Sequence, residues 1–265
     1  MPRYAVNVSI LFREHRYLER FAAARAAGFD AIETWWPAGV AHDDLVAAVR
    51  DAGVGVVLMN LDGGDLAAGS RGLLSDPAHE DAFRASLPDG IELARRLGAR
   101  RVNALVGLAA AGMPRADQLA LATANLRRVA DAAAPHGIEV LIEAINTFEN
   151  GPYLVSTTAQ ADALRRAADR PNVRLQYDAY HMQRMEGNLA ATIERHLDVI
   201  AHVQIADCPG RHEPGTGEIA YPFLLDRLDR IGYQGRVALE YEAPEGDTLA
   251  SLGWLPRAQR GAQAG

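Results

Sequence analysis

The chain has 265 residues, 49% of them hydrophobic and 23% charged, with a net charge of −7 at neutral pH. That composition describes a soluble globular protein and excludes disordered, collagen-like and disulfide-scaffold chains; its acidic balance speaks against nucleic-acid and membrane partners. All 27 basic side chains are arginine, so Schiff-base aldolase, PLP and P-loop chemistry, each needing a particular lysine, are excluded by inventory.

Met1 to Leu11 alternates Tyr4, Val6, Val8 and Ile10 with small or polar residues. It lacks a basic region followed by an apolar run, so it reads as a first strand rather than a signal peptide. No apolar run approaches about 18 residues, the length of a membrane span. The single Cys208 fits a reducing compartment, and a cytoplasmic location is expected.

Short apolar runs then alternate with longer helical ones. The predicted strands are Ala5–Leu11, Asp30–Trp36, Val54–Leu61, Arg101–Gly107, Glu139–Asn146, Val173–Tyr180, Ile200–Asp207 and Arg236–Glu242. Between the first two, Leu18, Phe21, Ala22 and Ala26 follow helical spacing. Gly28, Gly53, Gly98, Gly137 and Gly232 each precede a strand, where a left-handed residue closes a helix. Eight βα units imply a parallel sheet closed into a single (β/α)8 TIM barrel. An open doubly wound sheet would carry Gly-x-Gly-x-x-Gly after its first strand, and none is present. The barrel domain is assigned to residues 1–256, and residues 257–265 to a disordered tail. The Gly-rich stretch from Gly63 to Gly72 reads as a long loop at the barrel mouth, with the character of a lid.

Active sites of such barrels gather at the C-terminal ends of the strands. Glu143, Asp178, Gln204 and Glu240 stand late in the fifth to eighth strands, neighbours around the rim. Three crowded carboxylates repel one another unless a divalent cation neutralises them, and an all-oxygen donor set suits Mg²⁺ or Mn²⁺. An acid at a strand end can instead pair with arginine or cap a helix. His181, three residues past Asp178, can contact a substrate oxygen or transfer a proton, or it can cap a helix or hold a ligand residue in place from behind. Arg211, in the loop after the seventh strand, can grip a substrate carboxylate or belong to a structural turn. Trp35 and Trp36 can wall the pocket or pack on the barrel, and His202 reads as a core histidine.

At these residues the chain resembles the hydroxypyruvate isomerase family of xylose-isomerase-like barrels. The resemblance runs from about Pro2 to Trp254. It is most specific at Leu141 to Asn146, Gln176 to Gly187, His202 to Asp207, Arg211 to Ile219 and the Glu240-Tyr241 pair. It implies a metal, Mg²⁺ or Mn²⁺, held by Glu143, Asp178, Gln204 and Glu240. Glu143 and Glu240 would be the acid–base pair, and His181 and Arg211 would contact substrate. The implied reaction interconverts hydroxypyruvate and tartronate semialdehyde. Where the family has Glu-Tyr-Lys-Pro this chain has Glu240-Tyr241-Glu242-Ala243-Pro244, which together with the bulky Trp35-Trp36 pair points to a reshaped pocket. A sister group isomerises four-carbon 2-oxo-tetronates, the alternative substrate class. A ketose 3-epimerase is disfavoured by Gln204, where epimerases have histidine. An abasic-site nuclease would need more histidine ligands and a basic face; a non-catalytic sugar-acid binder would have no use for both glutamates. The expected partner is a small anionic sugar acid, and homo-oligomerisation is left open.

Overall fold

The computed structural model describes residues 2–261. Eight strands form a closed barrel in sequence order: β1 (Arg3–Asn7), β2 (Ala31–Thr34), β3 (Gly55–Asn60), β4 (Arg101–Asn103), β5 (Glu139–Glu143), β6 (Val173–Asp178), β7 (Ile200–Ile205) and β8 (Arg236–Leu239). All neighbours run parallel, and β8 closes on β1 with Ala5 opposite Ala238 and Val6 opposite Leu239. The expected (β/α)8 fold is therefore the observed one.

The main connecting helices are α1 (Arg20–Ala26), α2 (His42–Ala52), α3 (Glu80–Arg96) and α4 (Arg115–Ala133) in the first half. In the second half come α5 (Thr147–Asn150), α6 (Thr158–Ala168), α7 (Ala179–Met185), α8 (Leu189–Arg195) and α9 (Tyr221–Arg230), with α10 (Thr248–Ser251) and α11 (Arg257–Arg260) after the last strand. The five helix-ending glycines all take positive φ. The stripe expected on α1 is rotated: Phe21 and Ala24 are buried, whereas Ala22 is exposed. A run of alanines marks no face by size, so Phe21 alone sets the helix rotation. No helix among the described residues is long and apolar enough to cross a membrane.

The strands are buried on both faces, as in covered parallel sheets. Outward-facing Val6, Ile32, Val140 and Val203 join the large core under the helices. The barrel interior is filled by two small clusters, Ala5, Ala31 and Ala238 in one, and Leu58, Leu141 and Ala201 in the other. Because side chains alternate along a strand, two residues further on the same faces stand Asn7, Glu33, Asn60, Glu143 and Glu240. An apolar plug therefore carries a polar layer at the C-terminal end of the barrel.

Of the segment 257–265, Arg257–Arg260 form a helical turn bound to the rest of the chain. Arg260 donates to the carbonyls of Ala27, Leu252 and Leu255 at 2.9–3.0 Å. Residues 262–265 lie outside the described residues.

Candidate active site

The polar layer opens into a cavity of about 380 Å³, lined by Trp35, Asn60, Arg71, Glu143, His181, Arg211 and Glu240 among others. Strand register builds it: Asp178 pairs with Gln204 across β6 and β7, and Glu240, just past β8, still donates its N–H to the carbonyl of Ile205. Glu143, Asp178, His181, Gln204 and Glu240 are all buried.

Asp178 has two tasks. Its Oδ1 caps α7, accepting from the backbone N–H groups of Tyr180 at 2.7 Å and His181 at 3.4 Å. Its Oδ2 is buried without a hydrogen bond; His181 Nε2 lies 3.5 Å away and Arg211 3.7 Å. Glu240 pairs with Arg211 through Oε2 at 2.6 Å, while Oε1 accepts from Asn7 at 2.6 Å and from the Trp35 indole at 2.9 Å. Helix capping and arginine pairing thus occur alongside the crowding of carboxylates. Glu143 accepts from Asn103 at 2.9 Å. Glu143, Asp178 and His181 each offer a ligand atom within 4.8 Å of the others, a buried group that could hold a metal ion.

Gln204 is brought beside Asp178, but both ends of its amide are engaged. Nε2 donates to Glu33 at 2.7 Å and Oε1 accepts from Gln176 at 2.5 Å. Glu33 also accepts from Asn7 at 3.0 Å and lies 2.6 Å from His202 Nε2; His202 is buried in the core as the sequence suggests, partnered at Nε2 and with no hydrogen bond at Nδ1 among the described residues.

The tautomer of His181 follows from its neighbour. Asn146 Oδ1 accepts from the N–H groups of Phe148 and Glu149, capping α5. Its Nδ2 is thereby fixed as the donor to His181 Nδ1, at 2.8 Å. Burial foremost, with Arg211 assisting against the opposing Asp178 charge, pulls the imidazole pKa down to about 4, so the ring is neutral. A neutral ring accepting at Nδ1 carries its proton on Nε2, and that N–H faces Asp178 and Glu143.

Burial pushes Glu143 well above the ordinary carboxylate range, and the charges of Glu240 and Asp178 push it further. Burial likewise raises Glu240 to about 8; Arg211 opposes this, and Glu33 and Asp178 reinforce it. Groups perturbed this far in a cleft are a mark of functional sites.

The loop after β7 is shaped by Asp207, whose carboxylate accepts from the N–H groups of Cys208, Gly215 and Ile219 at 2.7–3.0 Å. This aims Arg211, itself at φ 57°, back across the rim. Trp35 lines the cavity, whereas Trp36 stacks edge-on against His42 and borders an adjoining hollow. Sequence reasoning singles out none of Asn7, Glu33, Asn103, Asn146 and Arg71 as site residues. The two-residue step from Ala5 to Asn7 and from Ala31 to Glu33 was the available signal.

The family model for the xylose isomerase-like TIM barrel matches residues 21–258. A 2-oxo-tetronate isomerase of Cupriavidus necator is 40% identical over 96% of this chain and 98% of its own. The hydroxypyruvate isomerase of Escherichia coli is 39% identical over 96% and 98%. Among solved structures, one described as an AP endonuclease, family 2, from Brucella melitensis superposes with a TM-score of 0.91 at 38% identity, over 96% of this chain and 98% of that one. Full-length kinship to proteins named as isomerases makes this chain an isomerase. It belongs to the xylose isomerase-like TIM barrel family.

Proposed function

We propose that this isomerase moves a carbonyl by one carbon in a short 2-oxo acid, interconverting hydroxypyruvate and 2-hydroxy-3-oxopropanoate. The observation that carries the reading is the pair of buried carboxyl groups, Glu143 and Glu240, facing one cavity with their pKa values raised. One glutamate, ionised, takes the proton from C3 as the enediolate forms; the proton of the C3 hydroxyl passes to the C2 oxygen; and the other glutamate, as the acid, delivers a proton to C2. Carboxyl groups with pKa values lifted toward neutrality suit both halves of that exchange. His181, a neutral N–H donor, holds a substrate oxygen, and Arg211 steadies Glu240.

A divalent cation, Mg²⁺ or Mn²⁺, fits the residues present. The donors are oxygens, and Asp178 Oδ2 is a buried acceptor with no hydrogen bond of its own. Glu143, Asp178, Gln204 and Glu240 would hold the cation, Gln204 turning its Oε1 from Gln176 to do so. His181 stays out of the ligand set because its Nε2 carries a proton. When bound, the cation supplies positive charge that stabilises the developing enediolate.

The four-carbon 2-oxo-tetronates are the second reading. The cavity shares Trp35, Asn60, Leu66, Ala67 and Leu105 with an adjoining hollow of about 570 Å³, which gives room for a longer hydroxylated chain. The nuclease named for the Brucella structure finds little support in an acidic chain without lysine.

The test is turnover by EDTA-stripped protein, with hydroxypyruvate and 2-oxo-tetronates assayed side by side, before and after Mg²⁺ or Mn²⁺ is added. Activity on either acid that returns with metal supports the reading and chooses the substrate. A fully metal-loaded protein that turns over neither acid refutes it.

A further inference from the structure

Two cationic side chains line the cavity, Arg71 and Arg211. They differ in what already neutralises them. Arg211 sits 2.6 Å from Glu240 and 3.7 Å from Asp178, so its guanidinium is already engaged by acidic side chains of the protein. Arg71 makes no ion pair among the described residues. Its Nε donates to Asn150 Oδ1 at 3.1 Å, and its NH1 donates to the carbonyls of Leu66 at 3.0 Å and Ser70 at 2.7 Å. All three acceptors are neutral, and no hydrogen bond among the described residues engages NH2. The guanidinium is therefore oriented but uncompensated, half-buried at the wall of a pocket whose other cation is occupied.

The backbone under Arg71 is held as firmly. Gly72, at φ 125°, lies so close to the following loop that a Cβ there would stand 2.4 Å from the carbonyl oxygen of Leu105. Gly72 N–H donates to Gly63 at 3.1 Å, and Ser75 N–H donates to Val106 at 2.9 Å. Asn150, at the end of α5 in the loop after β5, steadies the guanidinium as well. A planar fork held this way loses little freedom on meeting a carboxylate, the geometry for which arginine is suited.

We infer that Arg71 is the carboxylate subsite of this pocket and selects oxo acids over neutral ketoses, while Arg211 serves Glu240 rather than the substrate. The inference rests on the oxo-acid reading of the site. It moves the carboxylate grip from Arg211, where the sequence placed it, to a residue of the Gly-rich loop.

The experiment compares binding of D-glycerate with that of its neutral amide, glyceramide, to Mg²⁺-loaded wild type, Arg71→Gln and Arg71→Lys, by titration calorimetry, alongside KM and kcat for hydroxypyruvate and a 2-oxo-tetronate. Losing charge-assisted hydrogen bonds should weaken glycerate about 10- to 100-fold in Arg71→Gln. Glyceramide should change less than about threefold, and KM for the substrate should rise far more than kcat falls. Arg71→Lys, which keeps the charge but loses the fork, should fall between. Equal weakening of both ligands would assign Arg71 to loop structure alone and overturn the inference. So would unchanged glycerate affinity and KM in Arg71→Gln while wild type turns over an oxo acid. A wild type that binds no glycerate and turns over neither acid would instead remove the oxo-acid reading on which Arg71 depends.

Discussion

The buried carboxyl groups make a strong statement about stability in the absence of metal. Glu240 is fully enclosed, and its pKa in the folded chain is about 8 against an ordinary 4.5. The folded state holds this proton to higher pH than the unfolded chain does, so the associated stability is complete below about pH 4.5 and is lost as pH rises through about 8. At about 1.4 kcal/mol per pKa unit, that interval corresponds to about 5 kcal/mol. For a chain of this size, each kcal/mol moves the melting temperature by about 2–4 °C, giving a fall of about 10–20 °C. Glu240→Gln keeps the shape and polarity of the neutral acid but cannot ionise. Thermal melting in EDTA, from pH 5 to pH 8.5, should therefore show wild type losing about 10–20 °C more than Glu240→Gln. Adding Mg²⁺ at about one hundred times its dissociation constant should return about 3 kcal/mol to wild type at pH 8.5. At pH 5 it should return less, because protons then compete for the same oxygens. Parallel pH curves for wild type and Glu240→Gln would refute the argument, as would a wild-type curve that rises relative to the variant.

Three further outcomes follow from individual residues. Glu143→Gln should fold with unchanged circular dichroism and lose about 10²–10⁴-fold in kcat, the usual worth of a positioned acid or base; retention of more than a tenth of wild-type turnover would remove Glu143 from that role. Asn146→Asp keeps the α5 cap but turns the donor facing His181 Nδ1 into an acceptor, so nitrogen NMR should find the proton moved from Nε2 to Nδ1. Turnover should fall about 10²-fold, with the melting temperature within about 3 °C of wild type. Gly72→Ala should cost about 2–3 kcal/mol in denaturant unfolding, since its Cβ meets the backbone of Leu105 and its φ is unfavourable for alanine.

The barrel was legible because each strand is a short apolar run set off by helices that end in glycine. The strand ends were less so. The apolar pattern carries the first strand over Ala5–Leu11, yet β1 ends at Asn7, and Val8, Ile10 and Leu11 are buried in a turn. Burial under rim loops gives the same hydrophobic signal as burial in a ladder, so composition alone cannot locate the last pairing residue. The four polar residues of the fifth to eighth strands stood out because three of them are acids in apolar runs. Asn7 and Asn103 did not, although the same step of two marks Asn7, because an amide reads as ordinary polarity until the carboxylate it holds is known.

Arg71 lies beyond what a pattern can disclose, and the reason is physical. Its meaning depends on which charges meet and which do not. Arg211 and Arg71 are both single arginines in Gly-rich loops, and nothing in their local sequence says that Glu240 takes one and leaves the other. That choice is made by the approach of Gly72 to Leu105 and by the left-handed backbone of Arg211, two loop geometries set by distant parts of the chain. A cation answered inside the protein has little left to offer a ligand, whereas one oriented by neutral acceptors keeps its field for the pocket. On the proposed reading, the acidic rim and the arginine without an acid partner among the described residues divide the work: the carboxylates would hold a cation, and Arg71 the anionic end of the substrate. A small metal-chelating acid answers both, while a neutral ketose leaves the arginine unanswered.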